Sequence, residues 1–266
     1  QEKLCMRMIS MCKRQLVLEA GTVFTGNAFG SMDPSTGDVI FNTSMTGYQE
    51  VLSDPSYNGS IVVMTYPAIG SYGINRDDFE SITPFVKGMI VKEAIDEPSN
   101  FRSEESLDSY MKTHGIPGIS GIDTRMLTRI LREKGTMKGR IITEGDDQAL
   151  APTGEDLSDL LVRETSITKP YIVPGKGKRI VVIDLGMKQS ILHELMERGC
   201  DVTVVPYDYT VEEVLATKPD GILLSNGPGN PVQIKRTIET IKSLLGQVPI
   251  FGIGIGHQLL GLACGA

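Results

Sequence analysis

The chain has 266 residues, 40% hydrophobic and 22% charged, with a formal net charge of −7. That is enough apolar material for one large globular domain or two ordinary ones. The acidic balance argues against a nucleic-acid surface, which needs a basic patch, and no apolar run reaches the roughly 18 residues of a membrane span.

Residues 1–11 (QEKLCMRMISM) carry charge but no apolar h-region, so they are not a secretory signal. They are expected to form an N-terminal extension, with Met11 a natural start ahead of the first strand. Cys5, Cys12, Cys200 and Cys264 show neither close pairing nor metal spacing, and read as reduced thiols of a cytoplasmic protein. His114, His193 and His257 are far apart and form no ligand motif, so no metal is expected.

Residues 12–145 read as a β-rich α+β domain. Short β-branched or aromatic runs at 15–25, 38–41, 60–66 and 85–94 predict strands, separated by turn residues such as Asp33-Pro34 and Thr36-Gly37-Asp38. Helices are expected at 104–113 and 123–134, the second with Asp123 as N-cap and Gly135 just past its end. Met126, Leu127, Ile130 and Leu131 form its apolar face, expected to be core. A strand at 138–143 closes the domain. Residues 146–177 turn acidic, then Pro- and Gly-containing, and read as a connector with a short helix at 157–164.

From 178 onward strands and helices alternate. Strands are expected at 179–185, 201–205, 221–225 and 248–253, and helices at 189–198, 211–217 (capped by Thr210) and 232–245. Fully apolar strands in βαβα order imply a flavodoxin-like parallel sheet covered on both faces. Ligands bind such sheets at the carboxyl ends of the strands. Two Gly-rich loops fall there, 226–230 (NGPGN) and 252–256 (GIGIG).

The second loop has the form of a nucleophile elbow, a sharp strand-to-helix turn that lifts one side chain toward a substrate. The position that should carry the nucleophile is Gly254, which has no side chain. His257 reads as structural.

Here a resemblance becomes specific. LSNGPGNP at 224–231 and FGIGIGHQ at 251–258 resemble the oxyanion loop and elbow of class I glutamine amidotransferases, whose elbow usually reads FGICLGHQ. FNTSMTGYQE at 41–50, YPAIGSYGI at 66–74 and GISGIDTR at 118–125 resemble the small, glutamine-hydrolysing subunit of carbamoyl-phosphate synthases. The likeness covers about residues 12–266. It implies an enzyme subunit that hydrolyses L-glutamine to glutamate and ammonia and delivers the ammonia to a large synthetase subunit.

Residue by residue, it implies that Gly227 and Gly229 lie against bound glutamine. It implies an oxyanion hole formed by the N–H groups of Gly229 and Ile255. Ser44 and Gln258 are the implied further glutamine contacts. Gly252 and Gly256 are expected where the backbone approaches too closely for a Cβ. No cofactor is expected in this chain, which has no Walker-type loop; ATP and Mg²⁺ belong to the large subunit. Arginine and pyrimidine synthesis are the implied pathways.

Two departures stand out. Gly254 replaces the family's cysteine and Ile255 its leucine. Cys264 is about 15 Å further along the helix and cannot substitute. The family's catalytic His and Glu follow the elbow by about half a domain, and neither His193 nor His257 matches that His. The amidotransferase domain at 178–266 thus reads as a first half, with an open sheet edge and marginal stability. The expectation is a chain inactive in glutamine hydrolysis. The alternative is a non-catalytic scaffold that binds the large subunit for ammonia-dependent synthesis. A flavodoxin-like binder fits the βα pattern alone but leaves the first-half motifs unexplained.

Overall fold

A computed structural model describes residues 12–146 and 158–266. The extension expected at 1–11, and residues 147–157 of the expected connector, lie outside the described residues. The chain divides into two compact units. One comprises Gln1–Ser53, Gly59–Phe79 and Thr83–Gly154; the other comprises Asp54–Asn58, Glu80–Ile82 and Glu155–Ala266.

In the first unit the strands are β1 (Lys13–Leu18), β2 (Val23–Gly30), β3 (Ser35–Asn42), β4 (Ser60–Met64), β5 (Ala68–Ile69), β6 (Gly88–Ile90), β7 (Glu93–Ala94), β8 (Pro117–Ser120) and β9 (Met137–Thr143). Seven of them close into a barrel in the order β1-β2-β8-β6-β4-β3-β9, while β5 and β7 form a separate pair. The run expected at 15–25 is a β1–β2 hairpin that turns at Gly21, where φ is +80°. Thr36 and Gly37, expected in a turn, are instead strand residues facing Arg140 and Gly139 of β9. The ladder overrides their turn chemistry because closure leaves no unpaired edge.

Leu16, Leu18, Val39, Ile61, Val63, Ile90, Ile119 and Ile141 fill one apolar cluster, which helix Thr124–Lys134 joins through Leu127 and Leu131. Asp123 caps that helix, accepting the Met126 N–H at 2.9 Å. Met126, expected in the core, is 51% exposed. The helix buries a narrow i, i+4 stripe, and residue 126 lies one step round from it. The other helices here are Tyr48–Ser53 and Leu107–Thr113, the latter capped by Ser106.

The second unit holds β10 (Tyr171–Val173), β11 (Arg179–Asp184), β12 (Asp201–Pro206), β13 (Gly221–Leu224) and β14 (Ile250–Gly252) in one sheet, ordered β10-β12-β11-β13-β14. The last four strands are parallel, while β10 is antiparallel to β12. Within the segment read as a connector, the described part thus carries β10 and helix Ser158–Thr165.

Alternate residues of β11 enter two apolar clusters. Val181 and Ile183 pack with Val214, Ile238, Ile241 and Leu259 from helices Val211–Ala216, Lys235–Leu244 and Ile255–Ala263. Val182 packs with Ile191, Leu192 and Leu195 of helix Gln189–Glu197. This is the double covering expected of fully apolar parallel strands. The helix expected to begin at 232 starts at Lys235, because Asn230 and Pro231 first set a short 3₁₀ turn, Pro231–Gln233. Strands β12 and β13 flank β11 on opposite sides, so the chain reverses direction across the sheet beside β11. A crevice opens at the carboxyl ends of strands at such a switch point.

Candidate functional site

Three strand ends lie at that edge of the sheet: Asp184 closes β11, Ser225–Gly229 follows β13, and Gly252 closes β14 ahead of the turn to Gly256. Strand β14 is pinned to its neighbour as it ends, with the Ile253 N–H donating to the Leu224 carbonyl at 3.0 Å. The chain then turns at Gly254, with φ +57° and ψ −119°, and enters helix Ile255–Ala263 directly. An L-residue holds such a conformation only at a cost of about 1–3 kcal/mol, whereas glycine holds it freely.

The glycines on either side of residue 254 have a different task. A Cβ on Gly252 would lie 2.6 Å from the Gly256 carbonyl and the His257 nitrogen; one on Gly256 would lie 2.5 Å from the Leu224 carbonyl oxygen. These are the close backbone approaches expected from sequence. At Gly254 a Cβ would meet only the Asn226 Cβ and Cα, at 3.6 and 3.7 Å, which is ordinary contact. Of the three glycines in the elbow, only residue 254 therefore has room for a side chain.

Among the described residues, no acceptor takes the N–H of Ile255 or of Gly229. Ile255 opens a helix whose N-terminal N–H groups favour negative charge. Gly229, at φ +91°, is exposed, as are Gly254, His257 and Gln258. Gly227 is needed for packing: a Cβ there would lie 2.0 Å from the Leu185 carbonyl oxygen. The second unit thus gathers Gly227, Gly229, Gly254, Ile255 and Gln258 at the ends of β13 and β14. Ser44 belongs to the first unit, in the loop after β3, where its N–H donates to Asn42 Oδ1 at 2.8 Å and its side chain is exposed. Cys264 is the exposed C-cap at the far end of the elbow helix.

Sequence reasoning missed the polar groups beneath these loops. The buried carboxylate of Asp184 accepts the N–H groups of Ile167 (2.8 Å), Gly186 (2.9 Å) and Met187 (2.7 Å). Burial pushes its pKa up, against the pull of those three donors. Asn226 accepts the Lys188 N–H at 3.0 Å and donates through Nδ2 to Ser56 Oγ at 2.8 Å and Asp54 Oδ1 at 3.3 Å. Lys188 Nζ sits 3.0 Å from Glu80 and 3.7 Å from Asp54.

Burial pulls the Lys188 pKa down, but Glu80 and Asp54 outweigh it and raise it. Burial likewise pushes Glu80 up, but the Ser190 N–H, Lys188 and the Ser190 hydroxyl hold it below the usual carboxylate range. An acid closing an otherwise apolar strand could have flagged Asp184. Nothing in the sequence announces that Asp54, Ser56 and Glu80 belong to this unit.

The chain matches two family profiles. The "Carbamoyl-phosphate synthase small chain, CPSase domain" profile covers residues 16–141, and "Glutamine amidotransferase class-I" covers 181–266. The carbamoyl phosphate synthase small chain of Oceanobacillus iheyensis is 56% identical over 259 residues, spanning 96% of this chain and 71% of that protein. The pyrimidine-specific small chain of Bacillus subtilis is 58% identical over 257 residues, with the same two shares, 96% and 71%. The small chain of Fusobacterium nucleatum is 56% identical over 259 residues, 96% of this chain and 72% of that one. A likeness to the solved aminopeptidase of Aneurinibacillus sp. strain AM-1, at 11% identity and a TM-score of 0.29 over 96% of this chain and 70% of that one, is too loose to bear on fold or function.

Proposed function

The chain belongs to the carbamoyl-phosphate synthase small-chain family, with a class I glutamine amidotransferase domain, and on that premise we propose that it binds L-glutamine at the Gly254 elbow. The observation that carries this reading is the elbow itself. Its turn has the conformation of a nucleophile position, the N–H groups of Ile255 and of Gly229 in the neighbouring loop take no acceptor among the described residues, and of its three glycines only residue 254 has room for a side chain. Gly229 and Ile255 would bind the amide oxygen, with Gly227, Gln258 and Ser44 the further glutamine contacts by family resemblance.

Amide hydrolysis at such a site needs a thiolate that attacks the carbonyl carbon and expels ammonia, leaving a thioester for water to cleave. Glycine supplies no sulfur. This chain is therefore inactive in glutamine hydrolysis at residue 254, while the binding surface persists. It serves as the small subunit of a cytoplasmic carbamoyl-phosphate synthase, docking on a large subunit that carries ATP, Mg²⁺ and the synthetic chemistry. That complex runs on free ammonia. The name of the Bacillus subtilis relative favours pyrimidine over arginine synthesis.

Reconstitution with a large subunit tests this. Carbamoyl phosphate should form with ammonium and not with glutamine, and calorimetry should detect glutamine binding without glutamate release. Steady glutamate production by this sequence would refute the inactivity, and failure to co-purify with a large subunit would refute the scaffold role.

A further inference from the structure

The loop that presents Gly229 is held by a piece of chain remote in sequence. Asp54–Asn58 lies between helix Tyr48–Ser53 and β4 in sequence, yet it belongs to the second unit. It is locally ordered: Asp54 Oδ1 accepts the Ser56 N–H at 2.8 Å and caps the short 3₁₀ turn Pro55–Tyr57. Asn58 ties it to helix Ser158–Thr165, donating to Glu164 Oε2 at 3.0 Å.

From this frame Asp54 and Ser56 take both N–H bonds of the Asn226 carboxamide, and Lys188 supplies the N–H that its oxygen accepts. Asn226 is only 6% exposed, so its amide cannot turn to water without cost. Packing reinforces the link. At Gly186, a Cβ would lie 2.8 Å from Thr165 Oγ1, 3.1 Å from Pro228 Cδ and 3.2 Å from Pro55 Cβ, so both prolines crowd the same glycine.

We propose that the Asp54–Ser56 turn is a positioning element of the elbow site: by clamping Asn226 it fixes the 226–229 loop so that the Gly229 N–H converges with that of Ile255. The proposal rests on reading the elbow as a glutamine site. Asp54 and Ser56 act through Asn226 and touch no substrate. Asn226 has its backbone against residue 254 and its amide in the clamp, so motion of the turn is delivered to the loop without an intermediate. Lys188 joins the same clamp as the N-cap residue of helix Gln189–Glu197, with Glu80 fixing its ammonium.

The test uses the chain itself and Asp54→Ala, with Asp54→Asn as the conservative variant that keeps an acceptor at Oδ1. Amide hydrogen exchange is followed residue by residue. Faster exchange is expected in Asp54→Ala at Lys188, whose N–H is held by the Asn226 carboxamide oxygen, with the amides of β12 and helix Lys235–Leu244 unchanged, and restoration in Asp54→Asn.

A second readout uses the Gly254→Cys background and the γ-aldehyde analogue of glutamine. There the introduced thiol first loses its proton to solvent; the thiolate attacks the carbonyl carbon, a C–S bond forms as the C=O π bond breaks, and that electron pair becomes an alkoxide that a formed oxyanion hole stabilises. Asp54→Ala should weaken the aldehyde about tenfold or more, since small misplacements of oxyanion donors are that costly. Glutamine itself should weaken by much less.

Equal losses for both ligands, or general acceleration of exchange across the unit, would overturn the proposal as mere destabilisation. Unchanged exchange at Lys188 would overturn it directly. If the parent chain binds no glutamine, the reading of the site fails, while the exchange data still decide the role of the turn.

Discussion

Adding a single methyl group at Gly254 or at Gly256 separates a site position from a structural one. At Gly254 the new Cβ meets nothing closer than 3.6 Å, so the cost is conformational. Holding a side-chain residue at φ +57°, ψ −119° costs about 1–3 kcal/mol. Replacing glycine also restricts the unfolded chain, which returns about 0.4–1 kcal/mol. The net loss for Gly254→Ala is therefore about 1–2 kcal/mol. At Gly256 the same methyl would sit 2.5–2.7 Å from the carbonyl oxygen, carbonyl carbon and Cβ of Leu224. Strand β13 or the elbow helix must move, at a cost of about 3 kcal/mol or more.

Urea unfolding followed by circular dichroism reads the difference, since the chain has no tryptophan. With an m value of about 2 kcal/mol/M, the midpoint falls by roughly 0.5–1 M for Gly254→Ala and by about 1.5 M or more for Gly256→Ala. Equal losses, or a larger one at residue 254, would refute the argument that the elbow has space at residue 254 and none at Gly256.

Further consequences lie elsewhere in the two units. Arg14 is fully buried and donates to the carbonyls of Ser31 (2.7 Å), Met32 (3.1 Å) and Asp33 (2.7 Å). Arg14→Ala should cost about 3–5 kcal/mol by leaving those acceptors unpaired, and Arg14→Lys should not rescue it, because one ammonium cannot span three carbonyls; a melting temperature near wild type in either variant would refute this. Glu80 has a lowered pKa in the fold, so its contribution is present above the unfolded carboxylate pKa and is lost as pH falls through the folded value. Glu80→Gln should accordingly flatten the acid limb of stability against pH for the second unit, and an unchanged acid limb would count against the pairing with Lys188 and Ser190. Asp123→Ala should lower stability by about 1 kcal/mol through loss of the helix cap at Met126, seen as a shift in the thermal midpoint, whereas Asp123→Asn should leave the midpoint nearly unchanged.

Much of the second unit was legible because its signals are local. Thr210 with Glu213 forms a capping box, and β11 and β13 are apolar runs that only a doubly covered sheet can bury. The elbow could be read for the same reason. Gly252 and Gly256 are demanded by sterics within one turn, and the empty place at residue 254 is visible in the residue type itself. The helix face at 126–131 was legible only in part: periodicity marks four apolar residues, but the width of the buried stripe depends on what packs against it, and Met126 is left outside.

The sequence by itself determined the βα alternation, the caps and the glycine frame of an elbow with no side chain at residue 254. These depend on backbone sterics and hydrogen bonds between residues a few positions apart. Tertiary structure alone decided that seven strands close into a barrel, that β10 adds an antiparallel edge, and that Asp54, Ser56 and Glu80 join Lys188 and Asn226 beneath the crevice. A buried amide or ammonium must find partners wherever the folded chain offers them. The residues that satisfy Asn226 lie about 170 positions away in the chain, a distance at which no local pattern carries information.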